Sequence, residues 1–390
     1  MKTAVKITLF ILLNLLVAEG VLRVQQALGP LCDLKLENVD QEMLSDVLNH
    51  RPLPLLNWTL VGRDVYGEYA GLSYAIRRDS LGVRINGLRP DPAHGAASFT
   101  ALFLGDSFVE GYDDPHTLVQ AAYERLRELG AVDGNARFCN AGHSSYAPSI
   151  LIPQAKLLVP RLKPDLVVVV VNHFDLGDEA IRYQRLVVRD DDDRIVAVRA
   201  SPVNVESVTG LMSIKKEPLY LMRFLRKLYF TRIHMPAFDK GYRSWYPGEV
   251  SQFATDRAGS AAKYRRELAL FDDVLAELAD TLLELMGSPE RILFVCHPYL
   301  HHLTPEADGF VWRDLVTPAV AAAAARRGIP MYDATPDLRR IFGDDPQAYY
   351  WHGDTHFNFE GFRSYGELIA DRLAPQIEAL RRARTGTPTR

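Results

Sequence analysis

"DLVVVVVN", Asp165 to Asn172, places an unbroken run of valines between Leu166 and Asn172. β-Branched side chains suit the pleat of a strand, and a strand covered on one side only would alternate apolar and polar residues. This run does not alternate, so both of its faces must be buried, as in the middle of a parallel sheet with helices on either side. Flanking segments fit the same plan. "FTALFLG" (99–105), "ARFCNAG" (136–142), "RILFVCH" (291–297) and "IPMYDA" (329–334) read as further strands. Between and after them, helical periodicity predicts helices near His116–Leu129, Ile150–Leu162, Ala261–Met286, Val311–Arg327 and Gly361–Ala383. Strands alternating with helices imply an α/β fold.

A long interruption falls between about residues 177 and 260. Its first part, "YQRLVVRDDDDRIVAVRA", predicts a hairpin turning at Asp190–Asp193. The spacing of an EF-hand calcium loop is missing, so the acidic run reads as a solvated turn. Its second part, "EPLYLMRFLRKLYFTR", is apolar and basic on a helical period. That pattern suits either packing on the protein's own surface or contact with a bilayer surface, and self-packing is the ordinary expectation.

The N-terminus, "MKTAVKITLFILLNLLVAEGVLRV", sets Lys2 and Lys6 ahead of an apolar stretch from Ile7 to Ala18. A spanning helix usually needs about 20 residues, and Ala18-Glu19-Gly20 is a tolerable signal-peptidase site. Apolar character resumes at Val21-Leu22, which favours an uncleaved signal-anchor over residues 1–30. The lysines would stay on the cytoplasmic side and the rest would cross to the periplasmic or extracellular side. Residues 31–97, irregular and punctuated by Pro and Gly, read as a juxtamembrane segment packed on a main domain at 98–385.

Composition excludes several classes. The net charge of −4 over 390 residues gives no footprint for nucleic acid. Cys32, Cys139 and Cys296 are odd in number and widely spaced, so neither a disulfide framework nor a zinc site is indicated. The last two lie in apolar runs and read as buried thiols.

In a parallel α/β sheet, ligands bind at the carboxyl ends of the strands. Followed to its tip, the first strand delivers Ser107 and the second Asn140-Ala141-Gly142. The third delivers Asn172 and Asp175, the fourth His297, and beyond the fifth come Asp354 and His356. A serine hydroxyl needs a base to take its proton, and the base needs a third group to fix its tautomer. Ser107, His356 and Asp354 can fill those roles. Backbone N–H groups of Ser107 and Gly142, with an amide side chain, could stabilise an oxyanion. Each element taken singly is an ordinary turn residue; their order at successive strand tips is what makes them specific. His297, His301 and His302 in "HPYLHH" have a helical metal-pair spacing, but Pro298 disfavours a regular helix there, and substrate contact is the better expectation.

"GDSFVEG", "NAGHSSYAP" and "DTHFNFEG" resemble the first, second and fifth sequence blocks of the SGNH (GDSL) hydrolase superfamily, over about residues 98–380. "EGVLR", Glu19 to Arg23, ahead of a GDSF block resembles the membrane-anchored bacterial branch. The resemblance implies a flavodoxin-like three-layer α/β/α sandwich with a central five-stranded parallel sheet. It also implies Ser107 as nucleophile, His356 as base, Asp354 as its partner, Gly142 as oxyanion donor, ester substrates and no cofactor or metal. The third block departs from the pattern: the family has Asn-Asp, whereas this chain reads Asn172-His173-Phe174-Asp175. If Asp175 matches the family Asp, Phe174 holds the Asn position, and Asn172 can still reach the site if the strand ends two residues earlier. The expectation is a serine esterase cleaving an acyl ester, such as acetyl on an envelope or extracellular polysaccharide. An O-acyltransferase using the same acyl-enzyme, or a glycan-binding or assembly protein with weak turnover, are the alternatives. Asp175 and His297 are the expected substrate contacts.

Overall fold

The structure is a computed structural model describing residues 2–28, 34–36, 44–48, 55–59, 73–85, 97–112, 115–238, 265–303, 311–351 and 356–385. Cys32, much of the 31–97 segment and the end of the interruption lie outside the described residues. The chain divides into two compact units, one of residues 1–45 with 200–247, the other of 46–199 with 248–390. These units do not follow the boundaries expected at residues 30 and 97. The second half of the interruption belongs with the N-terminal helix, because hydrogen bonds tie the two together.

The larger unit is built on a six-stranded sheet. Its strands are β3 (Arg84–Ile85), β4 (Thr100–Leu104), β5 (Arg137–Asn140), β6 (Leu166–Asn172), β9 (Ile292–His297) and β10 (Met331–Asp333), in the order β10-β9-β6-β4-β5-β3. The last five in chain order pair parallel, and β3 joins antiparallel at the β5 edge. Taken alone, the parallel strands have the flavodoxin order 2-1-3-4-5. All seven residues of β6 are buried. Val167, Val169 and Val171 enter one core while Leu166, Val168 and Val170 enter the other. β4 and β9 split in the same way: Leu102, Leu104, Ile292 and Phe294 go to one side, and Ala101, Phe103, Leu293 and Val295 to the other. A period of two with both faces apolar is what the valine run requires.

One face is covered by α4 (Pro148–Leu162), α8 (Arg265–Met286) and α9 (Val311–Ala325); the opposite face by α3 (Leu118–Glu128) and α11 (Phe359–Thr385). Thr117 caps α3 by accepting the Gln120 N–H at 3.0 Å. α4 starts on Pro148, which has no N–H to leave unpaired, and stops at Lys163 in the left-handed region. The predicted hairpin is β7 (Val187–Arg189) against β8 (Ile195–Val198). Its turn closes on Asp190, whose carboxylate accepts the Asp192 and Arg194 N–H groups, and Asp190–Asp193 are exposed. A separate antiparallel pair joins β1 (Leu55–Thr59) to β2 (Ser73–Arg77).

The smaller unit holds α1 (Lys2–Leu28), α6 (Pro202–Lys215) and α7 (Tyr220–Tyr229). Helix α1 runs unbroken past Ala18. Its Val5–Ala27 stretch has mean hydropathy 2.1, is uncovered along its apolar length, and is long and apolar enough to cross a membrane. The Glu19 carboxylate accepts the Tyr220 and Leu221 N–H groups at 3.1 and 2.8 Å, so a residue of α1 caps the start of α7. Arg23 pairs with Glu19 at 2.7 Å.

Candidate active site

The chain reverses its winding between β4 and β6, and the crevice outside their carboxyl ends is the topological switch point where such folds bind ligands. Gly105 follows β4 at φ +157°, and a Cβ there would lie 2.6 Å from Val109 Cγ2 and 3.0 Å from the Val170 carbonyl oxygen. Glycine therefore permits the sharp turn that presents the next residues. Asp106 then caps α2 (Ser107–Glu110), accepting the Phe108 N–H at 2.9 Å. Ser107 is thus the first residue of a helix: its hydroxyl is partly exposed at the strand tip, and its N–H donates to no described group.

Ser107 Oγ lies 2.8 Å from His356 Nε2, across 249 residues of sequence. His356 stacks on the Phe108 ring, with centroids 5.1 Å apart and planes 27° apart. With Nε2 turned to the serine, an orienting carboxylate would have to approach Nδ1. Asp354, the expected partner, lies outside the described residues.

The other expected residues are placed differently from the sequence reading. Asn172 stays at the end of β6, in register with His297. Its Nδ2 donates to Asp106 Oδ2 at 2.8 Å, and its Oδ1 accepts the Phe174 N–H at 3.0 Å. One amide hydrogen expected for an oxyanion thus holds the capping aspartate, because β4 and β6 are neighbours and their tips meet. The Gly142 N–H, also expected to face an oxyanion, donates to Asn140 Oδ1 at 3.0 Å in a turn at the end of β5. Asp175 and His297, expected as substrate contacts, are buried at 2% and 0% exposure. Asp175 accepts the Asn172 N–H at 3.0 Å from behind the site. His297 lies against Phe108 at 3.9 Å between ring centroids, and its ring nitrogens have no partner among the described residues. Burial holds its imidazole well below the ordinary 6.5, with His356 and His302 adding repulsion. It is therefore neutral. His302 is buried and accepts the Tyr299 N–H through Nδ1; among the described residues no cluster could hold a metal ion.

The electrostatics divide the buried carboxylates. Burial raises Asp106 above 3.8, against which the Phe108 N–H, Asn172 and His356 pull it down. Burial pushes Asp175 up strongly, and Asp106 raises it further. Of the two, Asp175 is raised the more strongly. Burial also lifts Asp178 to about 6, against Arg182, and Glu179 to about 7, against the Ser149 N–H.

A second buried network, unread in the sequence, underlies the turn after β5. Glu110 pairs with Arg78, approaches His143 Nδ1 at 3.1 Å and accepts the Ser144 N–H at 3.1 Å. Its own carbonyl accepts from Arg84 Nη1 at 2.6 Å. Burial alone would raise Glu110, but His143, Arg78 and Arg84 overcome it and hold the carboxyl at about 2. This network fastens "NAGHSS" to α2. Gly142 fits against α2 so closely that a Cβ would lie 2.3 Å from the Glu110 nitrogen. On the other side, a π-helical turn at Glu179–Tyr183 brings Tyr183 Oη to the Ser145 carbonyl, and Arg182 Nη1 to Ser145 Oγ at 2.8 Å. The residues lining the serine are thus clamped from both sides.

No protein-family model and no curated protein matches the sequence. Among solved structures, the chain is similar to the lipase/acylhydrolase from Enterococcus faecalis, at 14% identity and TM-score 0.39 over 71% of this chain and 96% of that one. It is similar to an alpha/beta hydrolase from the metagenome of Lake Arreo, Spain, at 14% identity and TM-score 0.41 over 73% and 98%. It is also similar to an acetylxylan esterase from Geobacillus stearothermophilus, at 13% identity and TM-score 0.39 over 72% and 94%.

Proposed function

We propose that the chain is a membrane-held serine esterase of the SGNH type, acting on an acyl ester such as an acetylated glycan. The observation that carries the reading is the 2.8 Å approach of Ser107 Oγ to His356 Nε2 at the switch point of the sheet. His356 Nε2 takes the hydroxyl proton as Ser107 Oγ attacks the ester carbonyl, and the tetrahedral oxyanion faces the Ser107 N–H at the positive end of α2. Collapse expels the alcohol, which receives the proton from His356. Water, deprotonated by the same imidazole, then releases the acid from the acyl-serine. In the SGNH reading Asp354 orients His356, and Gly142 becomes a donor if its N–H turns from Asn140 Oδ1 to the oxyanion.

Retention of α1 as the anchor is supported by Glu19: cleavage at Ala18-Glu19-Gly20 would take away the residue that caps α7. A weakly catalytic, glycan-binding role is favoured by one observation, the engagement of Gly142 N–H and Asn172 Nδ2 in internal hydrogen bonds. Acyl transfer to a sugar hydroxyl would use the same acyl-serine with an alcohol in place of water. Hydrolysis of p-nitrophenyl acetate by the full chain in detergent tests the reading. Ser107→Ala should abolish turnover without loss of thermal stability, and retained turnover in that variant would remove Ser107 from the mechanism.

A further inference from the structure

Helix α7 is built inside out. A helix packed on a water-facing unit turns its apolar stripe inward and its charges outward. Here Leu219 at the cap, Met222, Leu225, Tyr229 and, on the next turn, Ile233 recur at helical spacing and are 48, 42, 49, 58 and 59% exposed. One charge is drawn away from solvent. Arg223 is turned inward, with Nε on the Glu217 carbonyl at 2.6 Å, Nη1 on the Leu34 carbonyl at 3.2 Å, and its guanidinium over the Tyr220 ring. At the margins of the apolar stripe, Arg226 is held by Glu217 and by Ser213 Oγ at 3.1 Å, and Arg232 is exposed.

The place of α7 along α1 explains the inversion. Glu19 fastens the start of α7 to α1. From Lys2 to Glu19 an α-helix rises about 26 Å, close to the roughly 30 Å of a bilayer's hydrocarbon. If the first turn of α1 sits at one boundary, Glu19 reaches the other, and α7 starts at headgroup depth. Its stripe is uncovered, as the apolar surface of α1 is, and the exposed Arg232 suits anionic headgroups.

We propose that α7 lies in the lipid–water interface of the bilayer that α1 enters. The Met222-Leu225-Tyr229-Ile233 stripe sits among the upper acyl segments, and Arg232 reaches a lipid phosphate. This rests on α1 being a retained anchor. The test uses the full chain in vesicles of phosphatidylcholine and phosphatidylglycerol, the latter carrying a photoactivatable diazirine near the headgroup end of its acyl chain. Adducts are mapped by peptide mass spectrometry. Adducts on both the α1 and the 219–233 peptides are expected, with α7 labelling lost in L225E/Y229E and α1 labelling kept. Adducts on α1 alone would overturn the α7 inference and leave the anchor standing. Adducts on α7 alone would refute the anchor and overturn the inference with it, because the depth of α7 is set by α1; adducts on neither would also refute both. Protein–protein crosslinks from 219–233, to a second copy or elsewhere in the chain, in place of lipid adducts would assign the stripe to a protein surface and overturn it.

Discussion

Replacing Glu110 with Gln keeps the size of the side chain and removes its charge. The consequences follow from its partners. Glu110 is 6% exposed, and the Arg78 side chain with which it pairs is 1% exposed. The interval between the ordinary carboxyl value of 4.5 and about 2 is worth about 3 kcal/mol at neutral pH. A similar figure comes from the other partner, since leaving one charge of a buried pair uncompensated costs about 3–5 kcal/mol. The sign follows from a folded-state value below the unfolded one. The stabilisation is complete above about 4.5 and is lost as pH falls through 2. Glu110→Gln should therefore lower the melting temperature of the larger unit at pH 7 by about 5–10 °C, and the gap to wild type should close towards pH 2. Thermal unfolding of the detergent-solubilised chain, followed by near-ultraviolet circular dichroism at pH 7, 4 and 2.5, measures this. A loss below about 1 kcal/mol at pH 7, or a loss unchanged with pH, would refute the role given to the carboxylate.

Glu179 should behave in the opposite sense. Burial raises it to about 7, so wild type loses stability as pH rises from 4.5 to 7. Glu179→Gln should melt higher than wild type at pH 8, by up to about 3 kcal/mol, and equally at pH 4. Gly142→Ala drives a methyl into the backbone of α2 and should cost about 1–3 kcal/mol together with ester hydrolysis, both measurable on one preparation. Asn172→Ala removes the donor to a buried Asp106 oxygen and should cost about 1–3 kcal/mol in thermal unfolding. A variant of unchanged stability whose kcat falls by about 10²–10³ would instead return Asn172 to the oxyanion.

The sheet was legible because Val167–Val171 allow only a strand with two buried faces, and the strand tips then located Ser107 and His356 within one crevice. Less of the support was legible. Arg78 and Glu110 meet across 32 residues, and Arg78 lies in a stretch too irregular to read as part of a core. β3 is a two-residue edge strand, held by its pairing with Asn140 and Cys139 and not by any pattern of its own. For Asn172, sequence establishes the strand end but not that the neighbouring tip carries a buried carboxylate needing a donor. In α7 the apolar and basic period was plain, whereas the face turned outward depends on Glu19, about 200 residues earlier.

The most direct measurement is covalent labelling of the full chain with a fluorophosphonate, followed by mass mapping of the modified residue. A serine activated by a neighbouring imidazole displaces fluoride from the reagent, whereas an ordinary turn serine does not. The 2.8 Å contact between Ser107 and His356 predicts one phosphonylated residue, Ser107, with labelling lost in His356→Ala while the fold melts as before. An unlabelled Ser107 in the folded wild-type chain, or labelling that persists at the same rate without His356, would contradict it.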